Sequence, residues 1–96
     1  MDVSRADLVI SLAGHDSGTL FYVVGTDGPY VLLADGKGRK LEHPKRKKLK
    51  HVRKILRTDS RTAAKLRSGE KILNSELRRE LAVIGQEFRS QNQGGS

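Results

Sequence analysis

The chain has no cysteine and no tryptophan, only two prolines, and four aromatic residues in 96 positions. Without cysteine it can form neither a disulfide nor a thiolate zinc site, which fits a reducing compartment. His15, His43 and His51 lack the close spacing of a histidine metal motif. No metal and no cofactor are therefore expected. Long apolar runs are missing too: nothing approaches the roughly 18 residues of a membrane helix. The opening MDVSRADLVI lacks the basic-then-apolar order of a signal peptide. The expectation is a cytoplasmic protein with no membrane partner. With Phe21, Tyr22, Tyr30 and Phe88 as the only large rings, a stacking platform for single-stranded bases is hard to build. Tyr22 and Tyr30 are expected in the core or scaffold.

Catalytic constellations are also absent. His15, Asp16 and Ser17 are the residue types of a nucleophile triad, but three adjacent residues cannot aim their side chains at one another as that geometry requires. Gly36-Lys37-Gly38 lacks the longer glycine frame, followed by Lys and Ser or Thr, of a phosphate-binding loop. Neither an enzyme nor a small-molecule substrate is expected.

Positive charge is abundant, and it is unevenly placed. Residues 1–36 carry Arg5 against five aspartates, a net −4. Residues 37–57 carry eleven Lys or Arg against Glu42, a net +10. Residues 58–96 carry seven basic and five acidic side chains, so the whole chain stands at +8 because of one segment. Such a block repels itself unless an anion relieves it, and clustering of this kind is the footprint of a polyanion binder.

The first half alternates like short strands. Leu8, Ile10 and Leu12 interleave with Val9, Ser11 and Ala13, a period of two. Gly14 and Gly18 bracket a tight loop, TLFYVV (19–24) is rich in β-branched and aromatic residues, and GTDGP (25–29) is a turn. YVLLA (30–34) is a third strand, DGKG (35–38) opens with a hairpin signal, and RKLE (39–42) returns as a fourth. Pro44 is expected to hold the following cations extended and outside regular pairing. Residues 50–55 read as a fifth strand, although Leu49, Val52, Ile55 and Leu56 also allow a helical turn. Closing these strands into a small barrel would remove exposed edges.

From residue 58 the period changes. Asp59 or Ser60 caps a short helix ending at Gly69. A second helix starts near Asn74 or Ser75, with Leu77, Leu81, Ile84 and Phe88 on one face. That stripe is expected to be buried either on the barrel or on a partner. QNQGGS (91–96) has no apolar residue and reads as a disordered tail. The predicted organisation is α+β: a barrel with its basic segment over 1–57, two C-terminal helices over 58–90, and the tail over 91–96.

DLVISLAGHDSGTLFYVV resembles the KOW motif: a strand of alternating aliphatics, Gly14, three loop residues, Gly18 and a second aliphatic strand. The hairpin running into a basic segment, LLADGKGRKLEHPKRKK, is similar to large-subunit ribosomal proteins of archaea and eukaryotes and to their short bacterial KOW-domain relatives. The resemblance covers residues 5 to about 57. It implies a five-stranded SH3-like barrel that contacts RNA, commonly ribosomal RNA, and ribosomal proteins as further partners. The loop His15-Asp16-Ser17 departs from the basic loops of ribosomal relatives, so phosphate contact is assigned to the later segment. The expected RNA-binding residues are Lys37, Arg39, Lys40, Lys45, Arg46, Lys47, Lys48, Lys50, His51, Arg53 and Lys54. With so few rings, recognition is expected through RNA shape and backbone. A second expectation, from the neutral loop and the apolar helix stripe, is a protein-interaction module of the transcription or translation machinery.

Overall fold

The computed structural model describes residues 3–57 and 60–93. Five strands, β1 (Asp7–Ser11), β2 (Leu20–Asp27), β3 (Tyr30–Ala34), β4 (Lys45–Lys48) and β5 (Val52–Arg57), precede two helices, α1 (Arg61–Ser68) and α2 (Asn74–Gln93). The strands form one antiparallel sheet in the order β4-β3-β2-β1-β5. The fold is therefore α+β, a curled half-barrel with two helices.

Two register slips curl the sheet. One lies between Val23 and Gly25 in the β2–β3 ladder, the other between Leu8 and Val9 where β1 meets β5. An extra residue on one strand bends it and sharpens its twist. At the first slip Gly25 brings its backbone close to Leu32, whose Cδ1 would lie 3.2 Å from a Cβ there.

Alternation along the strands serves two cores. Val9, Phe21, Val23, Val31, Leu33 and Val52 form a cluster made only of strand residues, which fills the inside of the curl. Leu8, Tyr22 and Ala34 point the other way, and Ala63, Leu66, Ile72, Leu77 and Leu81 from the helical half cover them. Because both faces are buried, four of the five residues of β1 are buried, whereas a sheet with one wet face would show strict alternation.

The helices begin and end where local chemistry dictates. The Ser60 hydroxyl accepts a hydrogen bond from the Ala63 N–H at 3.1 Å, and Gly69 closes α1 at φ 80°. The stripe of α2 lies on the sheet: Leu77 and Leu81 are buried there and Ile84 is half-buried. The Tyr22 hydroxyl donates to Glu80 Oε1 at 3.0 Å, tying strand to helix. The first turn of α2 docks on the β3–β4 connection. Asn74 Oδ1 accepts from the Leu41 N–H at 2.8 Å, Asn74 Nδ2 donates to Glu42 Oε1 at 2.7 Å, and Arg78 donates to the Gly36 carbonyl at 2.9 Å.

Four sequence expectations are corrected. Residues 39–42 are not a strand: Asp35 gathers the chain into a closed loop, its Oδ1 accepting from the Lys37 and Arg39 N–H groups at 2.9 and 2.8 Å. The fourth strand is instead the basic run itself, Lys45–Lys48, paired with β3 from Leu33 to Tyr30. Pro44 therefore precedes a paired strand rather than keeping the run out of one. Residues 50–55 divide, with Leu49–His51 forming a 3₁₀ turn before β5 begins at Val52. Helix α2 also continues through Gln91–Gln93, into the stretch expected to be a tail. Asp59, residues 94–96 and the Arg57 side chain lie outside the described residues.

Candidate nucleic-acid interface

Because β4 is a strand, its cations alternate. Lys45 and Lys47 face the inside of the curl opposite Leu33 and Val31, while Arg46 and Lys48 face outward beside Leu32 and Tyr30. The inward pair meets an acceptor from the β1–β2 loop. Lys47 Nζ lies 2.7 Å from Asp16 Oδ1 and donates to the Ala13 carbonyl at 2.6 Å, with 8 % of its side chain exposed. Lys45 Nζ lies 2.7 Å from Asp16 Oδ2. The Ser11 hydroxyl donates to Asp16 Oδ1 at 2.8 Å. Burial alone would raise the Asp16 carboxyl, but hydrogen bonds from Lys45, Lys47 and Ser11, with the charge of Lys47, hold it well below the usual carboxylate range.

Two more cations find acids from the first third of the chain. Lys54 Nζ lies 3.3 Å from the buried carboxylate of Asp7, which also accepts from the Ser4 N–H at 2.9 Å. Arg46 Nε lies 3.3 Å from Asp27, and its guanidinium stacks 3.7 Å above the Tyr30 ring. Both Arg46 and Asp27 are more than half exposed, so that pair adds little stability.

Six further cations of the segment carry no ion pair among the described residues. Lys37, Arg39, Lys40, Lys48, Lys50 and Arg53 are exposed and have no carboxylate partner among the described residues. Lys37, Arg39 and Lys40 stand on the loop entering β4, Lys48 ends that strand, and Lys50 lies in the 3₁₀ turn leaving it. A four-residue strand spans only about 10 Å. Of these five, Lys48 alone lies on the edge strand, which has a ladder only with β3, and the other four lie in the connections before and after it. Arg53 faces outward on β5, opposite Ile10. His51 is half-buried, with its carbonyl accepting from the Leu12 N–H at 2.8 Å.

Ten of the eleven expected residues thus fall into two groups, with the half-buried His51 in neither. Lys45, Lys47 and Lys54 are turned toward internal carboxylates, and Arg46 is shared with Asp27 and Tyr30. Lys37, Arg39, Lys40, Lys48, Lys50 and Arg53 present unneutralised charge to solvent. Sequence reasoning missed Asp7, Asp16 and Asp27 as counter-ions. The signal was present in the opposite charges of residues 1–36 and 37–57, but only the strand order shows which acid meets which base. Among the described residues no cluster of His, Asp and Glu is arranged to hold a metal, and no helix is long and apolar enough to cross a membrane. No protein-family model matches the chain, and no curated protein matches it.

Proposed function

We propose that the chain is an RNA-binding module built on an SH3-like barrel of the KOW type. In this reading it works by binding rather than catalysis, and it contacts ribosomal RNA or a ribosome-assembly particle in the cytoplasm. Phosphates meet the cations of segment 37–57. The observation that carries the reading is the set of six exposed cations with no carboxylate partner among the described residues, five of them on β4 or in the connections on either side of it. Each phosphate they neutralise releases condensed counter-ions, which drives binding without base contacts. Lys45, Lys47 and Lys54 serve this surface indirectly, because their ion pairs hold β4 and β5 in place.

Sedimentation of a cell extract tests the ribosomal part of the proposal. The chain is expected to travel with ribosomal particles and to leave them after nuclease treatment or a high-salt wash. A chain that stays at the top of the gradient contradicts it. The alternative reading, a protein-interaction module, lost part of its motive when the α2 stripe was found on the sheet. A complex that survives nuclease would favour it.

A further inference from the structure

At one end of the curl lies a recess of about 300 Å³. Phe21 and Thr19 line it, with His15, Asp35, Arg39 and Lys45 around them. Its size is at the low end for ligand clefts, room for one planar ring system. Phe21 lines the recess but is only 2 % exposed, so it closes the hollow rather than offering a ring face, while His15 and Arg39 are exposed. Thr19 and Asp35 also line a second recess, of about 520 Å³, bordered by Lys37 and Arg78 near α2. The loop carrying Lys37, Arg39 and Lys40 therefore stands between two hollows with a cation at each.

The two carboxylates at the first recess differ in what they have left to offer. Asp16 has both oxygens engaged, by Ser11, Lys47 and Lys45. Asp35 uses only Oδ1, which accepts from the Lys37 and Arg39 N–H groups and so fixes the carboxylate on the loop. Its Oδ2 has no partner among the described residues and no compensating cation within ion-pair distance. A carboxylate so placed repels phosphate, so it does not serve backbone binding. On this exposed loop Oδ2 is open to an N–H donor from a ligand. Within a polyanion, the groups that supply such donors are the base edges.

We infer that this recess holds one unpaired nucleotide whose base presents an exocyclic amino group, as cytosine does. The amino group donates to Asp35 Oδ2, the ring sits in the recess beside Thr19, and the phosphate meets Arg39. This rests on the RNA-binding reading and adds base selection to it. The surface then reads shape and charge along β4 and one base edge at the loop before it.

The test exploits the difference between cytosine and uracil, which exchanges an amino donor for a carbonyl acceptor at one position. Binding of the full chain to oligocytidylate and oligouridylate of about twelve nucleotides is measured by fluorescence anisotropy at about 50 mM salt. Oligocytidylate is expected to bind about tenfold tighter, the scale of one hydrogen bond to a charged acceptor. Asp35→Asn keeps Oδ1 for the loop and replaces Oδ2 by a donor. It also removes a negative charge, which strengthens both complexes alike, so the ratio is the readout. The ratio is expected to fall to about one or invert in favour of uridine, with thermal unfolding showing that the variant is folded. Arg39→Gln is expected to weaken both complexes by the same factor and leave the ratio intact. Equal binding of the two oligomers by the unmodified chain, or a ratio that Asp35→Asn does not move, overturns the base-reading recess and leaves phosphate binding standing. If neither oligomer nor duplex RNA binds at that salt, the reading beneath it falls as well.

Discussion

Asp16 shows how much one residue can carry. It lies in a loop that reads as neutral and unremarkable in sequence, yet it receives two ammonium groups from β4 and a hydroxyl from β1. Removing it leaves Lys47 charged, nearly buried and without a counter-ion. Breaking such a pair from one side costs more than the pair contributes, so Asp16→Ala is expected to lower unfolding stability by about 2–4 kcal/mol, read from chemical denaturation. The pH dependence follows from the direction of its shift. A carboxyl held below its ordinary value of about 3.9 gives its full stabilisation above that pH and loses it as pH falls toward the lower folded value. The stability gap between the unmodified chain and Asp16→Asn is therefore expected to be constant from neutrality to about pH 5 and to shrink below about pH 4. A gap unchanged at pH 3 would contradict this. Gly36 is a second such residue. It has φ 76°, and a Cβ there would overlap the Asn74 carbonyl at the start of α2. Gly36→Ala combines left-handed strain with a backbone clash and is expected to cost about 2–4 kcal/mol, seen as a lowered Tm.

Among the elements, β4 and α2 are the instructive ones. The strands β1, β2 and β3 were legible because their apolar residues alternate or run together. The cap at Ser60 and the stop at Gly69 were legible from residue type alone. β4 was not, because Lys45–Lys48 contains no apolar residue. Its alternation is between cations that meet an internal carboxylate and cations that meet water, and the deciding acid lies 29 residues earlier than Lys45 in the chain. Four-residue RKLE offered a better local pattern, yet Asp35 captured its backbone in a loop. The α2 stripe was legible as a stripe, but its destination depended on Leu8, Tyr22 and Ala34 needing a cover on the sheet's second face. That dependence is testable. A chain ending after residue 57 bares Leu8, Tyr22 and Ala34 and is expected to lose cooperative unfolding, with dye binding that reports exposed apolar surface. A sharp thermal transition in that fragment would show that the helices are accessory.

For the molecule as a whole, the charge asymmetry of the sequence resolves into an inner and an outer layer. Three aspartates from the acidic first third neutralise Lys45, Lys47, Lys54 and Arg46, and so convert part of the basic block into scaffold. What remains outside is smaller than composition implies, but it is concentrated. The concentration of positive charge in residues 37–57 was legible in the sequence. Which of those charges stay outside was not, because a lysine left to solvent and a lysine paired with an internal carboxylate are the same letter. Cations on the open edge of β4 also discourage edge-to-edge association, so charge there has a structural use even without RNA. The two uses separate by salt dependence and by which lysines matter: Lys45→Gln with Lys47→Gln is expected to act on stability, and the outer six on binding.

The most direct measurement is the affinity for a structured RNA between about 50 and 200 mM salt, made on the unmodified chain and on a variant with Lys37, Arg39, Lys40, Lys48, Lys50 and Arg53 changed to Gln. If all six engage phosphate, the unmodified chain is expected to lose up to about a thousandfold in affinity across that range. The variant is expected to stay folded, bind weakly and show a nearly flat slope. Salt-insensitive binding, or a variant that keeps the full slope, would contradict an RNA surface built from the outer cations of β4 and its turns.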